Sequence, residues 1–217
     1  MAQQTSPSRH LRLGVLISGG GTTLENLIER MDAGQLRRVE IALVISSRSA
    51  VRGVDIARVA NLPLRIIRRK DHPAEAQFSE AITAALDAAG VDLVVLAGFL
   101  CFWDLPARYR GRVLNIHPAL LPRFGGRGFY GRHVHEAVLA AGEAESGCTV
   151  HLVDDQYDHG PIVAQSRVAV EPGDTADTLA QRVGVAEREL YPEVIQHVAD
   201  HGLGWLRQFS GGSAEPD

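Results

Sequence analysis

The chain has 217 residues, of which 45% are hydrophobic and 22% are charged, with a formal net charge of −4. This length suits one domain with a substantial core, and the composition is that of an ordinary globular protein. The negative charge argues against a general nucleic-acid binder, which is usually basic. Cys101 and Cys148 lie far apart without a CxxC pair, which indicates reduced cytoplasmic thiols rather than a disulfide framework or a zinc knuckle. There is no signal-peptide core, and no apolar run reaches the ~18 residues of a membrane span.

Strand-like and helix-like segments alternate through the first half of the chain. Apolar runs predict buried strands at 13–17, 39–45, 64–67 and 91–97. Amphipathic or Ala-rich segments predict helices at 24–31, 53–60 and 73–89. This order predicts a single α/β domain with a doubly wound, mostly parallel, Rossmann-like sheet and helices on both faces. We expect a disordered tail over 1–10, the folded domain over 11–208 and a disordered tail over 209–217.

The first predicted strand runs into a glycine-rich turn at 18–23, Ser-Gly-Gly-Gly-Thr-Thr. Backbone N–H groups and the positive end of a helix dipole make such a turn a candidate anion site. The turn is neither GxGxxG nor a Walker loop, because no Lys follows the glycines. A tight strand-to-helix turn capped by a Thr side chain is the structural alternative, which the turn alone leaves open.

A polar pair ends the apolar run at 112–116. Asn115 and His117 are two residues apart, so on a strand their side chains project on the same side. They stand where the strand gives way to a loop stiffened by Pro118 and Pro122, and open parallel sheets place ligands at such strand ends. An amide donor and a titratable imidazole held there suit the stabilisation of a developing oxyanion. The alternative is a strand-end His that satisfies loop carbonyls.

A loop with three aspartates lies between two further predicted strands, at 146–153 and 162–170. It does not fit a calcium loop of the EF-hand kind, because His159 stands where that loop needs Gly. Asp154 and Asp155 suit a solvated hairpin, whereas Asp158 precedes a rigid Gly160-Pro161 pair. An Asp beside an imidazole would raise the pKa of that imidazole. A last helix is predicted at 175–199, after an Asp-Thr cap signal.

The run at 115–122, Asn-Ile-His-Pro-Ala-Leu-Leu-Pro, resembles the core motif of the folate-dependent formyltransferases. The resemblance extends from about 13 to about 199 and includes the glycine-rich turn and the Asp158 loop. It implies that a formyltransferase domain over 11–208 transfers a formyl group from the co-substrate 10-formyltetrahydrofolate to the amine of glycinamide ribonucleotide, in purine (IMP) biosynthesis. The implied partners are these two small molecules in the cytoplasm, without metal, nucleic acid or membrane. A homodimer stays open.

The resemblance also implies roles for individual residues. The implied catalytic set is Asn115, His117 and Asp158. The implied ribonucleotide-binding set is Gly20, Gly21, Thr22, Thr23, His133 and Glu187. The implied folate-binding set is Phe99, Leu100, Cys101, Phe102, Trp103, Asn115, Val153, Asp154 and Asp155. In the implied mechanism two donors, from Asn115 and His117, meet the oxyanion, while Asp158 keeps His117 charged and relays a proton through water.

Two departures from the family pattern concern the folate tail and a loop. The family often carries basic residues where this chain has Cys101 and Glu75. The cation that would hold the folate glutamate tail is therefore open. The candidates are Arg68, Arg69, Lys70 and Arg108. The glycine-rich segment 125–131 is longer than the usual loop; of the two histidines after it, His133 and His135, we expect His133 to point to the site. The peptide between Leu121 and Pro122 is expected to be cis.

Three other functions are weighed. Formyltetrahydrofolate deformylase, a hydrolase with a similar Asn/His/Asp set, usually has an extra N-terminal domain, of which this sequence shows no trace. The methionyl-tRNA formyltransferase should carry a basic C-terminal domain, whereas this chain is acidic overall. A non-enzymic nucleotide-binding domain would use the glycine-rich turn alone and leave Asn115, His117 and Asp158 idle. We therefore expect the formyltransferase.

Overall fold

The computed structural model describes residues 9–210, which form a seven-stranded sheet with helices packed on it. The strands are β1 (Leu11–Ile17), β2 (Val39–Ser46), β3 (Leu64–Ile66), β4 (Leu93–Leu96), β5 (Val113–His117), β6 (Glu145–Leu152) and β7 (Ile162–Ala169). The helices are α1 (Thr22–Asp32), α2 (Arg52–Val59), α3 (Glu75–Ala88), α4 (Arg132–Ala140), α5 (Ala176–His201) and α6 (Arg207–Ser210).

The strands lie in the order β3-β2-β1-β4-β5-β6-β7. Strands β1 to β5 pair in parallel, whereas β6 pairs antiparallel with both β5 and β7. The predicted doubly wound, mostly parallel sheet is thus confirmed. The chain leaves β1 in one direction to β2 and later returns to its other side with β4, so the strand order reverses there. Ligands of open α/β sheets bind at the carboxyl ends of the strands beside such a reversal.

The core lies on both faces of the sheet. In β1, Leu13, Val15 and Ile17 are fully buried in a cluster shared with α1 and α5. Leu16 points the other way, into a cluster with α3. This two-sided burial explains why the central strands read as continuous apolar runs. Tyr191 of α5 is fully buried, and its hydroxyl donates to the Leu114 carbonyl at 2.8 Å, which fixes α5 beside the end of β5.

Element boundaries differ from the predictions where backbone hydrogen bonds compete. Strand β4 begins at Leu93 rather than at 91, because the Val91 N–H still donates to Leu86 at the end of α3. Helix α5 begins after Thr175, whose side chain accepts the Thr178 N–H, so the predicted cap is confirmed. The Leu121–Pro122 peptide is cis, as expected.

Most of both expected tails lies outside the described residues. Phe209, which the sequence placed in the C-terminal tail, belongs to α6 and packs edge-on against Trp205, with ring centroids 5.0 Å apart. The folded part therefore continues past the expected limit of 208. Within residues 9–210, none of the helices combines the length and apolar character needed to cross a membrane.

Candidate active site

The end of β5 carries Asn115 and His117, and β6 runs antiparallel beside it. Residue pairing places Asn115 opposite His151 and His117 opposite Thr149. Directly opposite residues of an antiparallel pair project from the same face. Four polar side chains therefore share one patch of the sheet, and of these the sequence had singled out only the two on β5.

Asp158 joins this patch from the loop after β6. Its backbone is left-handed, with φ of 53°, a conformation that Asp tolerates better than most residues. Its Oδ1 accepts from the Asn115 amide at 3.3 Å, and its Oδ2 accepts from the Gly126 N–H at 3.1 Å. The same Oδ2 lies 3.4 Å from Nδ1 of His117. The structure thus brings together Asn115, His117 and Asp158, the three residues expected to act jointly.

His151 holds the Asn115 amide. Its Nδ1–H donates to the Leu152 carbonyl at 2.9 Å, because a carbonyl oxygen can only accept. In the neutral ring Nε2 is then an acceptor, and the Asn115 amide donates to it at 3.0 Å. Buried His151 therefore orients Asn115. The sequence signal that could have found it is Thr149-x-His151 on β6, which mirrors Asn115-x-His117 on β5.

The ring of His117 is buried and is also held on both sides. Its Nε2–H donates to the Phe124 carbonyl at 2.7 Å. Burial lowers the pKa of His117, and this effect outweighs Asp158 and the Phe124 carbonyl, which both raise it. That Asp158 keeps His117 charged stays a prediction, because the Asp158 carboxylate and the Phe124 carbonyl face the two ring nitrogens while burial opposes the charge.

Asp158 stays ionised. Burial raises the pKa of its carboxyl, but contact with the protonated form of His151 at 3.6 Å, the charge of protonated His117 and the Gly126 N–H together bring that pKa below its usual value. A carboxylate, an imidazole and an oriented amide therefore stand side by side. Such a set can accept a proton and donate hydrogen bonds without a nucleophilic Ser or Cys.

A cavity of about 1180 Å³ opens over these side chains. Asn115, His117 and Asp158 line it together with Thr22 and Thr23 at the start of α1. Single small-molecule sites usually measure ~300–1,000 Å³. The cavity is thus large enough for two ligands that meet at the polar patch.

The glycine-rich turn leads into α1 without a Thr cap. Gly21 is the N-cap, with φ of +72°, and a Cβ there would lie 2.5 Å from the Gly53 Cα. Both the conformation and the space therefore require glycine. Thr22 and Thr23 already belong to the helix and line the cavity. Gly20 is exposed beside them, and its carbonyl accepts from Arg52 at 3.2 Å.

Of the expected ribonucleotide-binding residues, Glu187 lines the cavity and His133 does not. Glu187 of α5 lies one turn before Tyr191, on the same helix face, and lines the cavity. Burial raises the pKa of Glu187 to about 7. His133 is instead exposed, and its Nδ1 pairs with Glu136 at 3.2 Å. His135 is the buried histidine of α4 that lines the cavity, and within the described chain its Nδ1 has no hydrogen-bond partner.

The expected folate-binding residues that precede β6 in the chain divide into three groups. Phe99 and Leu100 line the cavity, as Asn115 does. The ring of Phe102 contacts that of Tyr157, with ring centroids 5.5 Å apart. Tyr157 lines the cavity and was not predicted from the sequence. Cys101, next to Phe102 in the chain, is half-buried. Trp103 is a core residue whose Nε1–H donates to Thr83 at 3.1 Å.

The three residues after β6 lie away from the cavity lining. Val153 packs on the core cluster of α3. Asp154 accepts from His159 at 2.8 Å, and Asp155 pairs with Arg110 at 2.8 Å. These contacts shape the loop that carries Asp158.

The fold and the site define an α/β protein with an Asn, His and Asp set at the strand ends of a doubly wound sheet. The formyl transferase family matches residues 11–195. The chain therefore belongs to the formyl transferase family.

Individual relatives agree with this assignment. The chain is 41% identical over 195 residues to the trifunctional purine biosynthetic protein adenosine-3 of Drosophila pseudoobscura pseudoobscura, covering 88% of this chain and 14% of that protein. It thus spans only a small part of that relative. It is 37% identical over 200 residues to the chloroplastic phosphoribosylglycinamide formyltransferase of Arabidopsis thaliana, covering 91% and 68%. The structure of the Coxiella burnetii phosphoribosylglycinamide formyltransferase in complex with CHES superposes with a TM-score of 0.82, at 38% identity over 89% of both chains.

Proposed function

We propose that this chain transfers a formyl group from 10-formyltetrahydrofolate to the amine of glycinamide ribonucleotide in purine biosynthesis. The observation that carries the proposal is the joint placement of Asn115, His117 and Asp158 against one large cavity. The names of relatives that match most of this chain, phosphoribosylglycinamide formyltransferases, support the ribonucleotide as the formyl acceptor.

The substrates fit different parts of the cavity. The start of α1, with Gly21, Thr22 and Thr23, suits the phosphate of the ribonucleotide, because helix N-termini attract anions. Glu187 suits a polar group of the same substrate. Phe99, Leu100 and Tyr157 give an apolar and aromatic wall for the flat folate rings. The folate supplies the activated formyl group when it is bound.

The side chains at the polar patch meet the needs of acyl transfer to an amine. As the amine attacks the formyl carbon, negative charge develops on the formyl oxygen. The Asn115 amide and the Nε2–H of His117 are the donors for that charge. In the free protein this Nε2–H is donated to the Phe124 carbonyl and the Asn115 amide donates to His151 and Asp158, so the formyl oxygen would take over one bond from each of the two donors.

Asp158 has the role of proton acceptor. It is ionised, and it lies beside both oxyanion donors. The proton lost by the attacking nitrogen would pass to Asp158, directly or through water, and then to the nitrogen that leaves the formyl carbon. The developing oxyanion also raises the pKa of His117 and strengthens its hydrogen bond.

We also propose a cytoplasmic location. The two cysteines of the described chain are free thiols, which suits a reducing compartment.

The test is consumption of 10-formyltetrahydrofolate by the full chain, with and without glycinamide ribonucleotide. We expect consumption only when the ribonucleotide is present. Equal consumption in its absence would identify a deformylase instead, and an inert protein in both conditions would contradict an enzymic function.

A further inference from the structure

Few of the cavity-lining arginines are neutralised by acidic partners. Most exposed arginines of the chain pair with Asp or Glu, as Arg132 does with Glu136 and Asp177. Within residues 9–210, three cavity arginines have no such pair, Arg48, Arg127 and Arg188. Free guanidinium groups in a cavity of an acidic protein are candidates for binding anionic ligand groups.

The three free arginines lie in different parts of the cavity. Arg48 follows β2, which is paired with β1 as far as the start of the glycine-rich turn. The carbonyl of Arg188 accepts from Asn26 of α1 at 2.9 Å. These two therefore stand near the turn that suits the phosphate. Arg127 belongs to the glycine-rich segment 125–131 instead and needs a different explanation.

Arg127 is held at the corner of a tight turn. The Phe129 N–H donates to the Gly126 carbonyl at 3.1 Å, and the Gly126 N–H donates to Asp158 at 3.1 Å. Gly126 and Gly128 both have left-handed backbones, with φ of 95° and 98°, which glycine adopts without strain. The turn is thus fastened to the catalytic carboxylate, and it projects Arg127 into the cavity lining.

The surroundings of Arg127 belong to the aromatic wall. Tyr157 lines the same cavity as Arg127, and its ring lies 5.5 Å from that of Phe102, the residue after Cys101. Burial raises the pKa of Tyr157, Glu75 raises it further and Arg127 lowers it. Glu75 and Cys101 are the positions where basic residues were expected. Arg127 therefore brings a positive charge, from another segment of the chain, to the region that those two residues leave without one.

The four cations considered from the sequence are placed elsewhere. Arg68 binds both oxygens of Asp71, at 2.6 and 3.0 Å. Arg108 pairs with Asp87, and Arg69 donates to the His72 carbonyl at 2.5 Å. Lys70 is exposed. In the part of the chain that the structure describes, all four lie outside the cavity lining.

We propose that Arg127, carried by the glycine-rich segment 125–131, binds the carboxylates of the folate glutamate tail. The proposal rests on the proposed function for the identity of the ligand. Because Arg127 is exposed, its contribution is that of a solvent-screened charge pair. Because its turn is bonded to Asp158, the tail contact also helps to order the segment beside the catalytic site.

The test compares folates with and without the tail. Variants Arg127→Gln and Arg127→Lys are assayed with 10-formyltetrahydrofolate bearing one or three glutamates and with 10-formyltetrahydropteroate, which has none. We expect Arg127→Gln to raise KM for the monoglutamate about three- to fivefold and for the triglutamate more, and to leave KM for the pteroate unchanged. Arg127→Lys should keep most of the difference.

Arg68→Gln and Arg108→Gln are the matched controls, and we expect neither to change these constants. An equal rise for the pteroate and the glutamate forms in Arg127→Gln, or a tail-specific rise in either control, would overturn the proposal. Calorimetric binding of unreactive 5-formyltetrahydrofolate separates this inference from the proposed function. A greater loss of binding for 5-formyltetrahydrofolate than for tail-less 5-formyltetrahydropteroate in Arg127→Gln supports the tail contact even if no formyl transfer occurs, and unchanged binding or an equal loss for both overturns it even if transfer does occur.

Discussion

The change Asp158→Asn removes one negative charge from the site without a change in size. Asp158 accepts from Asn115 with one oxygen and from Gly126 with the other. An Asn there keeps one acceptor oxygen, so its amide nitrogen faces one of these two donors. Loss of one hydrogen bond to a charged group in a mostly buried place costs about 1.5–3 kcal/mol. We expect the free energy of unfolding to fall by an amount of that order, measured by urea denaturation.

The free-energy cost to catalysis should be somewhat larger than the cost to folding stability. The variant loses the proton acceptor and the charge that faces His117 at 3.4 Å. Removal of one main electrostatic group typically costs about 10²–10³ in turnover. We expect kcat for formyl transfer to fall by that factor, with KM for the ribonucleotide nearly unchanged. Initial-rate kinetics on the folded variant, with its fold checked by circular dichroism, make this measurement.

The same change should alter the titration of His117 in a fixed direction. Burial already lowers the pKa of His117, and Asp158 is the main group that opposes it. Without the carboxylate the pKa of His117 should fall further, as followed by NMR of the imidazole ring. The double change His117→Ala/Asp158→Asn should cost little more than the worse single change, because the residues act as a unit. A pKa that stays constant or rises, or costs that multiply, would refute the coupling.

Two further predictions concern the ribonucleotide side of the cavity. Gly21→Val places a branched side chain at φ of +72° against the Gly53 Cα, so KM for glycinamide ribonucleotide should rise at least tenfold more than KM for the folate; equal effects on both constants would make the turn purely structural. Burial raises the pKa of Glu187 from 4.5 in the unfolded chain to about 7 in the folded chain. Between these two pH values the folded state holds a proton that the unfolded state has released. The free energy of unfolding therefore falls as pH rises through this range. Glu187→Gln removes the ionisation, so its Tm advantage over the native chain should grow between pH 5 and 8; a constant difference in Tm would show that Glu187 is solvated.

The sheet and the first two residues of the proposed catalytic set could be predicted from local sequence. Buried parallel strands need apolar side chains on both faces, so runs such as 13–17 stand out without any knowledge of the fold. Asn115 and His117 could be paired because a strand places residues two apart on one side. The catalytic grouping with Asp158 came from the family resemblance, and the structure supplies the distances.

Other features depend on tertiary contacts that no local pattern encodes. His151 lies in an apolar strand, and only the register of β5 against β6 places it opposite Asn115. The lowered pKa of His117 arises from burial under the rest of the chain. Trp103 follows the Gly98 turn closely in sequence, yet its indole is buried in the core, where its Nε1–H donates to Thr83. Of His133 and His135, the helix phase of α4 decides which one faces the cavity.

We expect the formyl group to move from the folate to an amine held at Asn115, His117 and Asp158. The most direct measurement follows an isotopically labelled formyl group from 10-formyltetrahydrofolate by mass spectrometry, in the presence of glycinamide ribonucleotide. The label should appear on the ribonucleotide amine, with one labelled product formed for each folate consumed. Label recovered as free formate, with the ribonucleotide unchanged, would contradict it.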